Sequence, residues 1–208
     1  IFVHWHFPLH ARSDVSGASL DAEKEFRKRY PALYKHLLQF KKPLVERNKQ
    51  ETGVRYEWYA LQRCAASYPK AFDKPKIISP RFMIKPSFGY DTSGAYTNDA
   101  CYFIPSEDLY LLGIINSNVA WYYLSEKCCS VQNDYSQIHI QFLSRVPIRI
   151  PSAEQKAAIE KKVKQILKKK SEGIETDTSD IENEMNQIVY EIYGLDDKER
   201  KFIGSLTS

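Results

Sequence analysis

From Leu109 to Leu124 the chain reads LYLLGIINSNVAWYYL, a run without one charged side chain, interrupted only by Asn116-Ser117-Asn118. A stretch this apolar must be buried. It is shorter than the roughly 20 residues a membrane-crossing helix needs, and the polar triplet divides it. It therefore predicts interior helices over 107–117 and 119–127, with Trp121 and Tyr122 turned inward. Every other element has to be laid around that pair.

Upstream, extended runs at Lys76–Ser79 and Phe82–Ile84 are split by Pro80. A two-strand ribbon over 88–97, folded at Thr92-Ser93-Gly94, and a strand at 101–104 follow. Alternation of apolar residues with His4, Trp5 and His6 predicts a further strand at Ile1–Leu9. Ser19 is placed to cap a helix running to Arg29. Pro31 suits the first turn of a second helix carrying Leu33, Leu37, Leu38 and Phe40, and Pro43 introduces a third. After an exposed loop at 131–134, alternation returns from Tyr135 to Ile140.

Ser152 and Gln155 form a capping signature for a helix to about Lys170, with Ile159, Val163, Ile166 and Leu167 on one face. A helix from Asp180 then carries Ile181, Met185, Ile188, Val189 and Ile192 at helical spacing and ends at Gly194. The class is α+β: a twisted mixed β-sheet with surrounding helices, followed by a C-terminal antiparallel helix pair. The expected division is 1–150 for the sheet domain and 151–208 for the helical hairpin.

The net charge of +4 hides an asymmetry. Residues 1–170 hold 27 Lys and Arg against 16 Asp and Glu, whereas residues 171–208 hold 3 against 10. A basic body with an acidic end fits a polyanion-binding surface, although ordinary solvated charge would look the same. The four cysteines lack C-x-x-C spacing and read as reduced thiols of a cytoplasmic protein. The opening Ile1-Phe2-Val3, with no methionine, reads as a strand already in progress, so the chain is expected to be part of a longer protein.

Four blocks, in order, carry a family resemblance. They are Tyr56-Glu57-Trp58-Tyr59-Ala60-Leu61-Gln62-Arg63, the stretch 88–124, Phe142-Leu143-Ser144-Arg145-Val146-Pro147-Ile148, and Ile188-Val189-Tyr190-Glu191-Ile192-Tyr193-Gly194-Leu195. Together they resemble the TaqI-like C-terminal specificity domain of restriction-modification methyltransferases. The resemblance implies a module that reads double-stranded DNA without catalysing anything. It implies an N-terminal methyltransferase domain in the parent that uses S-adenosylmethionine, with or without a fused endonuclease. Pro151-Ser152-Ala153-Glu154-Gln155-Lys156 also looks like the start of a spacer helix in type I specificity subunits, although a simple domain-closing hairpin would fit equally.

DNA reading needs cations for phosphates and donor or acceptor side chains for base edges. Lys41, Lys42, Arg47 and Lys49 are candidates for phosphate contacts, or else a solvated helix face. Arg55 suits the forked contact to guanine, and Arg63 either that or an internal carbonyl or carboxylate. Arg81, Lys85 and Tyr90 border the strands and are placed to meet the backbone. Gln132, Asn133, Tyr135, Gln137 and His139 are types suited to purine edges. Trp58 and Tyr59, interleaved with apolar residues, read as core rather than stacking platforms.

His4, His6 and His10 lack a Cys, Asp or Glu at ligand spacing, which favours a partly buried strand over a metal site. No Asn/Asp-Pro-Pro-Tyr run or glycine-rich cofactor loop is present, so no catalytic residue and no cofactor is assigned to this chain. Glu154-Gln155-Lys156 and Glu160-Lys161-Lys162 match half of a nuclease motif but lie on a helix surface. Two rivals remain: an assembly module using the terminal helices, and an RNA-binding domain using Tyr96 and Tyr135.

Overall fold

The computed structural model describes residues 3–47, 56–62 and 68–205. The chain divides into two compact units, Ile1–Ala71 and Phe72–Ser208.

The first unit is helical. Helix α1 (Leu20–Arg29) is capped by the Ser19 hydroxyl, which accepts from the Ala22 N–H at 3.2 Å. Helices α2 (Pro31–Leu38) and α3 (Lys41–Glu46) follow. Phe26, fully buried, meets Tyr59 at 4.5 Å between ring centroids and Phe7 and Tyr34 edge-on at 5.5 and 5.7 Å. Tyr59 and Trp58 thus belong to an aromatic cluster. Burial pushes the Tyr59 phenol well above its ordinary range.

The strand expected at Ile1–Leu9 does not form over its described part, where residues 5–8 are turns and His6 has φ 59°. The cause is Glu57, whose buried carboxylate accepts from the His6 N–H at 2.7 Å, the His6 Nδ1 at 3.1 Å and the Ser19 N–H at 2.9 Å. With the His6 N–H on that carboxylate and the Phe7 and Leu9 N–H groups on the His4 and His6 carbonyls, the segment has no ladder to join. Its alternate aromatics serve the cluster instead: Trp5 stacks on Tyr56 at 5.0 Å and donates Nε1–H to the Leu61 carbonyl at 2.7 Å.

The second unit holds the strands β1 (Lys76–Pro80), β2 (Phe82–Met83), β3 (Gly89–Asp91), β4 (Cys101–Ile104), β5 (Cys129–Ser130) and β6 (Ser136–Gln137). They make two three-stranded sheets, ordered β3-β1-β4 and β2-β6-β5, and every described pairing is antiparallel. Arg81 joins the sheets: its N–H donates to the Ala100 carbonyl at 2.9 Å and its own carbonyl accepts from Ile138 at 2.7 Å.

The ribbon expected at 88–97 is not a hairpin closed on itself. Its first arm, β3, pairs with β1, and Asp91 turns the chain away by accepting from the Ser93 N–H, the Ser93 hydroxyl and the Ala95 N–H at 3.2, 2.6 and 3.1 Å. This is an Asx-type turn, completed by Gly94 at φ 75°.

Helices α4 (Leu109–Ile115) and α5 (Asn118–Lys127) realise the apolar pair, with Tyr110, Leu112, Ile114, Ile115, Trp121 and Leu124 buried. The polar triplet is their joint. Asn116 accepts from the Phe88 N–H and donates to the Phe88 carbonyl, each at 3.0 Å. Ser117 caps α5, and the Asn118 N–H donates to Asn186 at 2.9 Å. The short helix α6 (Ile140–Leu143) then leads to the expected antiparallel pair, α7 (Ala153–Glu172) and α8 (Ser179–Tyr193).

The Ser152–Gln155 capping box is formed, and Gly194 ends α8 at φ 70°. Ile159, Val163, Met185 and Val189 join the core of α4 and α5, so the pair is part of this unit's interior. A third helix, α9 (Asp197–Ser205), follows, its start held by Asp196 accepting from the Lys198 and Glu199 N–H groups at 2.8 and 2.9 Å. The α+β class and the terminal helix pair stand as expected. No helix among the described residues is long and apolar enough to cross a membrane.

Candidate nucleic-acid interface

In the first unit, Lys42 is exposed on α3 with its ammonium toward solvent. Lys41 lies over the Trp58 ring at 5.1 Å and 3.7 Å from Glu23, which also accepts from the Trp58 indole N–H at 2.8 Å and the Tyr34 hydroxyl at 2.9 Å. Half of the Lys41 charge field is therefore spent within the unit. Arg47 turns inward, donating through Nη2 to the carbonyls of Ala60 and Trp58, and its buried Nε finds no acceptor among the described residues. Lys49, Arg55 and Arg63 lie outside the described residues, as does the side chain of Gln132.

In the second unit, Arg81 donates through Nη1 to the Asp99 carbonyl at 3.3 Å and rests 5.7 Å from the Tyr102 ring centre. Lys85 is exposed just beyond β2. Tyr90 is half-buried opposite Ile77 in the β1–β3 ladder, and burial raises its phenol. Asn133 is exposed at φ 59°, φ/ψ values that asparagine tolerates better than most residues, so the loop tip presents its amide outward.

Tyr135 and Gln137 alternate along β6, and Gln137 stands opposite both Phe82 and Cys129. His139 precedes α6 and meets the Phe142 ring edge-on at 6.2 Å. Lys85, Tyr135, Gln137 and His139 are thus brought to one small sheet, while Tyr90 belongs to the other.

Two features escaped the sequence reading. Phe82, Ile84, Val131 and Tyr135 are exposed by 46, 51, 38 and 40% around the β2-β6-β5 sheet, an apolar surface where a solvated face was due. The alternation at 82–84 announces two faces but not which one is covered. The other feature is a cleft of about 1190 Å³ bordered by Lys85, Asn118, Asn186, Glu182, Asp197 and Arg200. Lys170 and Lys201 also line it, so its cations outnumber Glu182 and Asp197, and charges of both signs meet there.

Tyr96, named for RNA stacking, already stacks on Phe72 at 4.6 Å, although 45% of it stays exposed. Cys128 is buried, which raises its thiol, and Cys129 is exposed. No group of three or more His, Cys, Asp and Glu side chains suited to a metal occurs among the described residues.

Against known families, residues 19–148 match the model of the TaqI-like C-terminal specificity domain. The match takes in α1 to α3, both sheets, α4 to α6 and the 133–139 segment, and it covers more than half of the 208 residues. Domains of this family act as non-catalytic DNA target-recognition modules in restriction-modification proteins. The chain belongs to the TaqI-like C-terminal specificity domain family.

Proposed function

We propose that this chain selects a specific sequence in double-stranded DNA as the C-terminal specificity domain of an adenine-specific methyltransferase of a restriction-modification system. The observation that carries the reading is the family match, whose span contains both the exposed Lys42 of α3 and the exposed 133–135 stretch with the half-buried Gln137. In this reading Lys41, Lys42, Lys49, Arg81 and Lys85 neutralise phosphates and hold the register. Arg55, Arg63, Gln132, Asn133, Tyr135, Gln137 and His139 face base edges. Tyr90 lies beside them at the backbone. Arg47, whose donors go to two main-chain carbonyls, serves by holding the end of α3 in place.

Residues 1–150 do the reading, and 151–208 brace it against the parent. Base extrusion and methyl transfer from S-adenosylmethionine fall to the N-terminal methyltransferase domain of that cytoplasmic parent, with or without endonuclease activity.

The chain alone is expected to bind duplex DNA weakly, with log K falling against log salt by roughly 0.9 per phosphate contact. Affinity that ignores salt, or preference for single-stranded RNA over duplex DNA in direct competition, overturns the reading.

The assembly alternative draws on Ile150 and Ile174, exposed by 96 and 80%. Because α8 supplies Met185 and Val189 to the core, removing residues 171–208 would unfold the unit rather than test docking. Ile150→Ser and Ile174→Ser are the cleaner probes. The assembly reading expects them to abolish association with the parent's other domains while leaving duplex binding intact.

A further inference from the structure

We infer that the outer face of the β2-β6-β5 sheet is the base-reading surface and that its chemistry is directed at adenine·thymine pairs. Gln137 would address adenine, and Phe82, Ile84 and Val131 would address the thymine methyl group. The inference rests on the DNA reading above and adds to it which bases are sought.

The face is defined by register. Phe82 and Cys129 both stand opposite Gln137, so these three share one side, whereas Met83, opposite Ser136, takes the other. The inner side is closed, with Met83 and Ser136 exposed by only 2 and 7%, while Phe82 is exposed by 46%. Tyr135 falls two residues before Gln137 and Ile84 two after Phe82, which extends the outer side by alternation. The Val131 N–H donates to the Tyr135 carbonyl at 2.7 Å and brings β5 along the same row.

This face is apolar but for one amide. The Gln137 side chain is half-buried and finds no hydrogen-bond partner among the described residues. A half-buried amide without a partner, set among apolar side chains, suits a ligand that offers a paired donor and acceptor.

In the major groove, one base edge offers that pair on a single base. Adenine presents N7 as acceptor and N6–H₂ as donor in the major groove, matched by a bidentate glutamine. Its partner thymine presents a C5 methyl, matched by apolar side chains. Guanine calls for Arg or Lys and cytosine for a carboxylate, and the outer row of Phe82, Ile84, Cys129, Val131, Tyr135 and Gln137 holds neither. Strands can read the major groove of about 12 Å, and β2 and β6 are adjacent antiparallel strands of the β2-β6-β5 sheet. Lys85 follows β2 at its end, placed for a flanking phosphate.

The test selects duplexes from a randomised pool with the 208-residue chain and measures their affinities by fluorescence anisotropy. Selected sites should contain adenine·thymine pairs. Uracil in place of thymine should weaken binding severalfold at those pairs. Gln137→Ala should cost on the order of tenfold at one pair of the selected site. Unchanged thermal melting of that variant secures its fold. Retained salt-dependent duplex binding with selected sites that lack adenine·thymine pairs, or with no response to uracil and Gln137→Ala, overturns this inference alone. If no duplex is bound, or single-stranded RNA displaces it, the DNA reading falls as well.

Discussion

The Lys76 ammonium, with no exposed surface, is paired with the Asp91 carboxylate across the β1–β3 ladder, where the two residues are direct partners. Lys76 also donates to the Phe72 carbonyl at 2.7 Å, so the buried cation has two acceptors. Lys76, then the Ser93 hydroxyl and the turn N–H groups, hold the Asp91 carboxyl well below its ordinary 3.8. Removing one partner of such a buried pair leaves the other uncompensated, at about 3–5 kcal/mol. Asp91→Ala should therefore destabilise the second unit more than the double change Lys76→Met with Asp91→Ala, as read by urea unfolding.

The same pair sets an acid limit. Folding lowers the Asp91 pKa, so its stabilisation is fully present above 3.8 and is lost as pH falls through the lower folded value. Thermal melting followed downward from pH 5 should show a steep loss that Asp91→Asn lacks. Equal slopes in the two proteins would rule out Asp91 as the titrating group.

Gly113 allows α4 to lie against α7. A Cβ there would stand 2.5 Å from Ile159 Cγ2 and 3.1 Å from Val163 Cγ2. Gly113→Ala gains about 1 kcal/mol of helix propensity but overpacks a closed core, which typically costs about 1–3 kcal/mol. Gly113→Val, with more atoms to place, should be clearly destabilising. Pairing Gly113→Ala with Ile159→Ala should recover part of the loss, a coupling that a double-mutant cycle measures directly.

In the first unit, Glu57 accepts from the His6 N–H, the His6 ring and the Ser19 N–H. Glu57→Ala strands two main-chain donors, and charge-assisted bonds of this kind contribute about 1.5–3 kcal/mol each. Hydrogen exchange at His6 and Ser19 should accelerate sharply, while amides of the second unit keep their protection.

Two basic residues of the first unit should separate by mechanism. Lys42 is exposed on α3, and Lys42→Ala should lower the salt slope of duplex binding by about 0.9 with no change in melting. Arg47 donates to the carbonyls of Ala60 and Trp58, so Arg47→Ala should lower thermal stability first. If both variants alter only the salt slope, Arg47 is a phosphate ligand.

The helices α1, α7 and α8 were legible residue by residue, whereas α6 and α9 were not. Ser19, the Ser152–Gln155 pair and Gly194 mark their ends, and the Ile159-Val163 and Met185-Val189 spacings mark their faces, because caps and the 3.6-residue period are local properties. The family resemblance was legible for the same reason, as ordered local blocks, of which the first three lie within the matched 19–148 and the 188–195 block lies beyond it.

Strand partnership is not local. The segment at 88–97 could close on itself until β1 and the buried Lys76 claimed its first arm, and Ile1–Leu9 could be a strand until Glu57 took the His6 N–H and local turns took those of Phe7 and Leu9. Alternation at Phe82-Met83-Ile84 fixed that two faces exist, and only the tertiary core, by taking Met83, decided which face meets solvent. Hydrogen-bonding partners and burial depend on residues far away in sequence, and so the exposed apolar face of the β2-β6-β5 sheet emerged only once the chain was folded.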